Sequence, residues 1–251
     1  MFFHEYPNCA RAITRRSGKY PWQVASIRNK QERFVTLNLK IVITAGPTRE
    51  RIDTVRFLSN RSTGKMGYAL ASAAVQRGWE VVLISGPVTL CPPENVTFVA
   101  VESAAEMAEA VKNFSPTANI IIMAAAVADY RPVSPLPNKM KKLPGNLTLE
   151  LERTEDILAG LGKNKPQGQI LVGFAAETDD LLANASEKLK RKNLDWICAN
   201  DVSRSDRGFG SSDNAVTILG ANGEKIELPL ADKHIIAEKI LDTICYSGKS
   251  I

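Results

Sequence analysis

The stretch Ile120-Ile121-Ile122-Met123-Ala124-Ala125-Ala126-Val127-Ala128-Asp129-Tyr130-Arg131 decides how the rest of the chain is read. Three isoleucines and a methionine in succession fit a strand buried on both faces, as in a parallel sheet. Small residues and one carboxylate, Asp129, follow; Pro132, Pro135 and Pro137 then predict a loop without regular structure, ending in Lys139, Lys141 and Lys142. Two readings fit this order: a site for a large anion, or a tightly packed strand end followed by a solvated basic loop.

Upstream the same pattern repeats. Residues 40–44 are a short apolar strand ending in Gly46-Pro47-Thr48-Arg49. A helix is predicted from Ser62-Thr63-Gly64 to about Arg77, stopped by Gly78. Strands follow at 80–84 and 96–101, and Ser103-Ala104-Ala105-Glu106 has the spacing of a capping box. Downstream, residues 147–152 alternate with period two, as a half-exposed strand does. A short helix at 155–161, a strand at 169–174, a charged helix at 180–192 and a strand at 195–199 come next. A hairpin (215–219 and 225–228) and a helix at 231–244 close the chain. Alternating buried strands and helices predict an α/β fold: a Rossmann-like, doubly wound, mainly parallel sheet with helices on both faces and a protruding loop and strand segment. Domain boundaries are expected at a basic, poorly ordered extension over 1–37 and one domain over 38–251.

Charge and composition narrow the function classes. The chain carries a net +5. Residues 1–36 hold seven Lys/Arg against two Glu, so the remainder balances at 25 basic and 25 acidic residues. A basic stripe for nucleic acid is therefore not indicated, and no apolar run approaches the ~20 residues of a membrane span. The four cysteines form no CxxC pair and only His4 and His234 are present, which excludes a His-rich metal cluster. Such scattered cysteines fit a reducing cytoplasm.

In doubly wound sheets ligands bind beyond the carboxyl ends of the strands. A nicotinamide or flavin dinucleotide would need G-x-G-x-x-G after strand one and an acid ending strand two. The chain offers the single Gly46 and, at the second position, Ser85. Ser62-Thr63-Gly64-Lys65-Met66-Gly67 lacks the first glycine and the Ser/Thr of a Walker loop, leaving a helix start that favours an anion or a tight helix–sheet contact. Asn60 either caps that helix or donates to a developing oxyanion. Lys188 and Lys192, four apart, share a helix face, which is a solvated face or a pair of cations meeting phosphates. Phe174 is core or packs on a base.

Six blocks occur in order along the chain: 43–49, 59–67, 125–130, 139–142, 172–178 and 198–202. Together they closely resemble the bacterial phosphopantothenoylcysteine synthetase (phosphopantothenate–cysteine ligase) of coenzyme A biosynthesis, over about residues 38–247. The resemblance implies a cytoplasmic homodimer using CTP, Mg2+, 4'-phosphopantothenate and L-cysteine, with an acyl-cytidylate intermediate. It implies Lys139 for the first step and Asn60 for the second. Nucleotide contacts are implied at Gly46, Met123, Ala124, Ala125, Asp129, Lys139, Glu155, Asp156, Ile157, Leu158, Phe174, Lys188 and Lys192, and substrate contacts at Asn60 and Ala126. The metal ligands stay open, and the loop after strand four is associated with the partner subunit. The flavin-dependent decarboxylase often fused to this family has no counterpart in the sequence, so no flavin site is expected and a separate decarboxylase is. Met123-Ala124 stands where small polar residues are frequent in the family. The competing classes are an NAD(P)-dependent reductase of Rossmann type and a non-catalytic nucleotide-binding module.

Overall fold

The protein's structure, a computed structural model, describes residues 39–142, 144–177, 180–201 and 213–246; the extension at 1–37 falls outside them. The elements in chain order are β1 (Lys40–Ala45), β2 (Arg49–Arg51), β3 (Phe57–Ser59), α1 (Lys65–Gln76), β4 (Glu80–Ser85), β5 (Val96–Ala100) and α2 (Ala104–Phe114). They continue with β6 (Ile120–Met123), β7 (Tyr130–Pro132), β8 (Leu151–Arg153), α3 (Ile157–Lys163), β9 (Ile170–Glu177) and α4 (Leu181–Arg191). The last are β10 (Trp196–Asp201), β11 (Asp213–Gly220), β12 (Lys225–Asp232) and α5 (Lys233–Tyr246).

The main sheet has eight strands in the order β12-β11-β10-β9-β6-β1-β4-β5. From β5 to β10 every pairing is parallel, and β11 and β12 add an antiparallel edge. The chain winds outward from β1 through β4 to β5, then returns past β1 to β6, so β1 and β6 flank the point where the winding reverses. The apolar strands are explained by burial on both faces. Ile41 and Ile43 belong to the core on the α1 and α5 side of the sheet and Val42 to the core on the α2 and α4 side, and all three are fully buried. Helix α1 sits close to the sheet because of Gly67, where a Cβ would lie 2.6 Å from the Ala45 Cβ. It ends at Gly78, whose φ of 74° suits glycine.

Ser103 caps α2 by accepting from Glu106 N (3.2 Å), and Glu106 Oε2 reaches back to Glu102 N (2.7 Å), a capping box displaced by one residue.

Three sequence expectations need correction. The alternating stretch at 147–152 forms only the three-residue β8, which pairs antiparallel with β7 and is exposed. The proline loop contains β7, which ends on Pro132; a proline is tolerated there because no third strand seeks its N–H. The closing hairpin runs further than 215–228. A bulge between Asn214 and Val216 accommodates Pro229 on the opposite strand, so β12 reaches Asp232 and α5 begins at Lys233. The hairpin β2–β3 was not anticipated.

Candidate active site

The segment after β6 is bound to the segment after β1 beyond the end of regular pairing. Ala126 N donates to Gly46 O (2.9 Å), Thr48 N to Ala126 O (3.3 Å), and Pro47 and Ala126 form a parallel bridge. Thr44 Oγ1 accepts from Ala125 N (3.1 Å) and Thr48 Oγ1 from Ala128 N (2.9 Å). Both threonines are fully buried. Side-chain hydroxyls thus replace the ladder where strands diverge, and the run of small residues lets the two backbones approach. Gly46 makes the turn at φ 73°, with a would-be Cβ 2.9 Å from Gly86 O.

Above this seam lies a cleft of about 670 Å³. Its floor is Met123, Ala124, Ala125 and Ala126, with Asn60 and the start of α1 on one side and Phe174 at the end of β9. Asp129, Glu155, Asp156, Ile157 and Leu158 line it from the segment around β7, β8 and α3, and Lys188 and Lys192 from α4. Two predicted residues do not line it. Gly46 lies beneath, as part of the seam. Lys139 is exposed on the loop between β7 and β8.

Asn60 does not cap α1: that position is Gly64, without a side-chain cap. Its Nδ2 donates instead to Ala126 O (3.0 Å) and Val127 O (3.3 Å). The amide therefore fixes the cleft floor, and donation to a ligand exchanges one of these bonds.

Asp156 caps α3 by accepting from Ala159 N (3.0 Å) and also accepts from Lys192 Nζ (2.8 Å). Burial alone would raise this carboxyl; the bonds from Lys192 and Ala159 and the charges of Lys192 and Arg191 outweigh it and hold it below the ordinary aspartate value. Lys192 is at the C-cap of α4, one turn beyond Lys188. The Glu187–Arg191 pair (3.8 Å) occupies the solvent side, so the helix divides its charges between water and cleft.

The cleft also recruits residues that sequence reasoning passed over: Lys233, Asn214, Arg153 and Thr154, together with Asn200 and Lys65 from the quoted blocks. Lys233 is only 7% exposed at the first position of α5. Its ammonium is pushed below the ordinary lysine value first by burial and then by Lys65, with Asp213 and Asp232 acting in the opposite direction. A lysine opening a helix works against the helix dipole, and that was the available signal. The Oδ1 of Asn200 is buried without a hydrogen-bond partner among the described residues. At the end of β4, where a dinucleotide site would present an acid, the Ser85 hydroxyl donates to Gly86 O (2.8 Å) and lies 3.2 Å from the Tyr68 hydroxyl.

Among the described residues no group of three His, Cys, Asp or Glu stands ready to hold a metal, and no helix is long and apolar enough to cross a membrane.

The sequence pattern of the DNA/pantothenate metabolism flavoprotein C-terminal domain matches residues 36–246. The chain is 54% identical over 210 residues to the coenzyme A biosynthesis bifunctional protein CoaBC of Bacillus subtilis, covering 83% of this chain and 52% of that protein. It is 47% identical over 210 residues to the CoaBC of Escherichia coli, again covering 52% of it. The chain thus spans about half the length of the curated relatives it matches. The crystal structure of the C-terminal domain of a CoaBC superposes with a TM-score of 0.70 at 48% identity, covering 82% of this chain and 93% of that one.

Proposed function

This chain belongs to the family of the DNA/pantothenate metabolism flavoprotein C-terminal domain, and on that premise we propose that it is the ligase of coenzyme A biosynthesis that joins (R)-4'-phosphopantothenate to L-cysteine using CTP. The single observation that carries the reading is the cleft itself. At the reversal point of the sheet it assembles Asn60 and Ala126 beside the cations Lys188 and Lys192 and the ring of Phe174, from stretches scattered through the sequence.

The pantothenate carboxylate attacks the α-phosphate of CTP; the bond to the β-phosphate breaks and pyrophosphate leaves, giving an acyl-cytidylate. The cysteine amine then attacks the acyl carbon, CMP departs, and the amine loses a proton as the amide forms. In the first step an anion attacks an anion, so positioned cations supply most of what the chain contributes. Lys188 and Lys192 hold the nucleotide from α4, with Asp156 fixing Lys192. Lys139 offsets charge on the triphosphate, and Asn60 steadies the floor against which the acyl carbon lies. A magnesium ion carried by the triphosphate needs only one or two carboxylates; of the three that line the cleft, Glu155 is paired with Lys112 and Asp156 with Lys192, so the exposed Asp129 would hold it. Such an ion would shield phosphate charge.

Lys139 does not line the cleft of its own chain. Of the ten large apolar side chains exposed among the described residues, seven (Val55, Phe57, Tyr130, Val133, Leu136, Leu147 and Leu151) lie on the β2–β3 and β7–β8 segments. A homodimer through these segments would cover them and bring the lysine loop to the partner's cleft.

The test is nucleotide-dependent pyrophosphate release requiring phosphopantothenate, with cysteine-dependent CMP release, comparing CTP with ATP. Lys139→Gln is expected to cut the first step to a small residual rate; full turnover by that variant would sink the assignment of the lysine. Reduction of a nicotinamide cofactor, with no pyrophosphate formed, would sink the ligase reading.

A further inference from the structure

Between β2 and β3 the chain turns at residues 52–56, closed by Ile52 N to Arg56 O (2.9 Å) and Asp53 N to Arg56 O (3.2 Å). Asp53 sits inside this turn, 2% exposed and with no exposed side-chain surface. Its two carboxylate oxygens divide their work. Oδ1 accepts from Val55 N (2.7 Å) and Arg56 N (2.8 Å), which makes the turn. Oδ2 accepts from Arg56 Nη1 (3.1 Å) and, across 87 positions of sequence, from Met140 N (3.1 Å). Leu136 N donates to Ile52 O (2.9 Å) beside it.

Met140 stands between Lys139 and Lys141. It is half-buried while Lys139, Lys141 and Lys142 are exposed, so its N–H is the point at which the lysine cluster is anchored. Burial would raise the Asp53 carboxyl; three N–H groups, from Val55, Met140 and Arg56, and the Arg56 charge hold it below the ordinary aspartate value, so it is an ionised acceptor at neutral pH. A carboxylate with four donors, in a turn that needs only two of them, is built for the other two. We infer that Asp53 is a positioning residue: through its Oδ2 it docks the lysine loop onto the β2–β3 turn and sets where Lys139 is presented to the triphosphate. The inference rests on the reading of Lys139 as the cation of the first step.

Asp53→Asn separates the two tasks. With its oxygen retained toward Val55 and Arg56, the turn survives, while the amide N–H₂ faces the Met140 N–H and the guanidinium, donor against donor. In the full chain this variant is expected to slow pyrophosphate release about 10- to 100-fold, the scale of an ångström-level misplacement, with the KM for CTP little changed. Trypsin is expected to cut after Lys139, Lys141 or Lys142 faster than in the wild type. In the Lys139→Gln background, Asp53→Asn is expected to slow the residual reaction no further, since the two changes act through one group. The same fold-loss in both backgrounds would overturn the inference by making Asp53 a general structural residue. Faster nicking at an unchanged rate, or an increased rate, would overturn it too. Wild-type activity in Lys139→Gln alone would instead refute the reading of the lysine, and the nicking rate would still report whether Asp53 docks the loop. If Asp53→Asn does not fold, Met140→Pro removes the donor from the loop side and leaves the turn intact; the rate readouts are the same, and nicking is then read after Lys141 and Lys142, because trypsin does not cut a lysine–proline bond.

Discussion

Two glycines of α3, two positions apart, allow the link between fold and nucleotide site to be tested. A Cβ at Gly162 would lie 1.8 Å from Lys192 O and 2.8 Å from its carbonyl carbon, whereas a Cβ at Gly160 meets nothing nearer than Glu155 Oε1 at 3.9 Å. Both are helical and gain up to about 1 kcal/mol of propensity on becoming alanine. Gly162→Ala must also push α3 away from the end of α4, because a backbone carbonyl cannot rotate aside. Overpacking of this kind costs about 1–3 kcal/mol, and so close a contact belongs at the upper end. The two variants should therefore differ by about 3 kcal/mol, or roughly 6–12 °C in Tm for a chain of this size. Gly160→Ala should melt at or slightly above the wild type. The displaced group is Lys192, whose ammonium meets Asp156 at 2.8 Å in the cleft, so Gly162→Ala should also raise the KM for CTP while Gly160→Ala leaves it alone. Thermal melts and initial rates of pyrophosphate release on the two proteins decide the matter. Equal melting temperatures, or a lowered Tm with an unchanged KM for CTP, would refute the claim that this helix contact positions the lysine.

Two more outcomes follow from the site. Asn60→Asp turns a donor into an acceptor facing two backbone carbonyls. Losing those two bonds costs roughly 1–3 kcal/mol, about 5- to 150-fold in the second step, and acyl-cytidylate should accumulate by mass spectrometry; normal product formation without it would contradict the role. Asp156→Asn keeps the helix cap but loses the ion pair with Lys192. Because the Asp156 carboxyl is held below its ordinary value, its contribution is complete above 3.8 and is lost as pH falls through its lower folded value. The Tm difference between wild type and Asp156→Asn should thus be constant from neutral pH to about 5 and shrink below 4; a difference that widens on acidification would be inconsistent with the assigned shift.

Much of the fold was legible because its signals are local. Ile120-Ile121-Ile122-Met123 and Ile41-Val42-Ile43 advertise burial on two faces, Gly78 stops α1, and Ser103 opens α2. The misread segments are those whose pairing is set at a distance. β8 exists because β7 returns beside it, and β12 outruns its apolar pattern because a bulge absorbs Pro229. For the site, residue types pointed to the ends of the strands, and Lys188, Lys192, Asp156, Phe174 and Asn60 line one cleft.

By itself the sequence determined the alternation of strands and helices, the absence of a dinucleotide fingerprint and the family resemblance, since each depends on residue type and spacing along the chain. Only the tertiary structure decided that Asn60 holds the cleft floor instead of capping α1, that Lys233 is buried beside Lys65, and that Lys139 stands off its own cleft with its loop tied to Asp53. Those facts are relations between residues dozens of positions apart. They are fixed by hydrogen bonds and desolvation that exist only once the chain has folded.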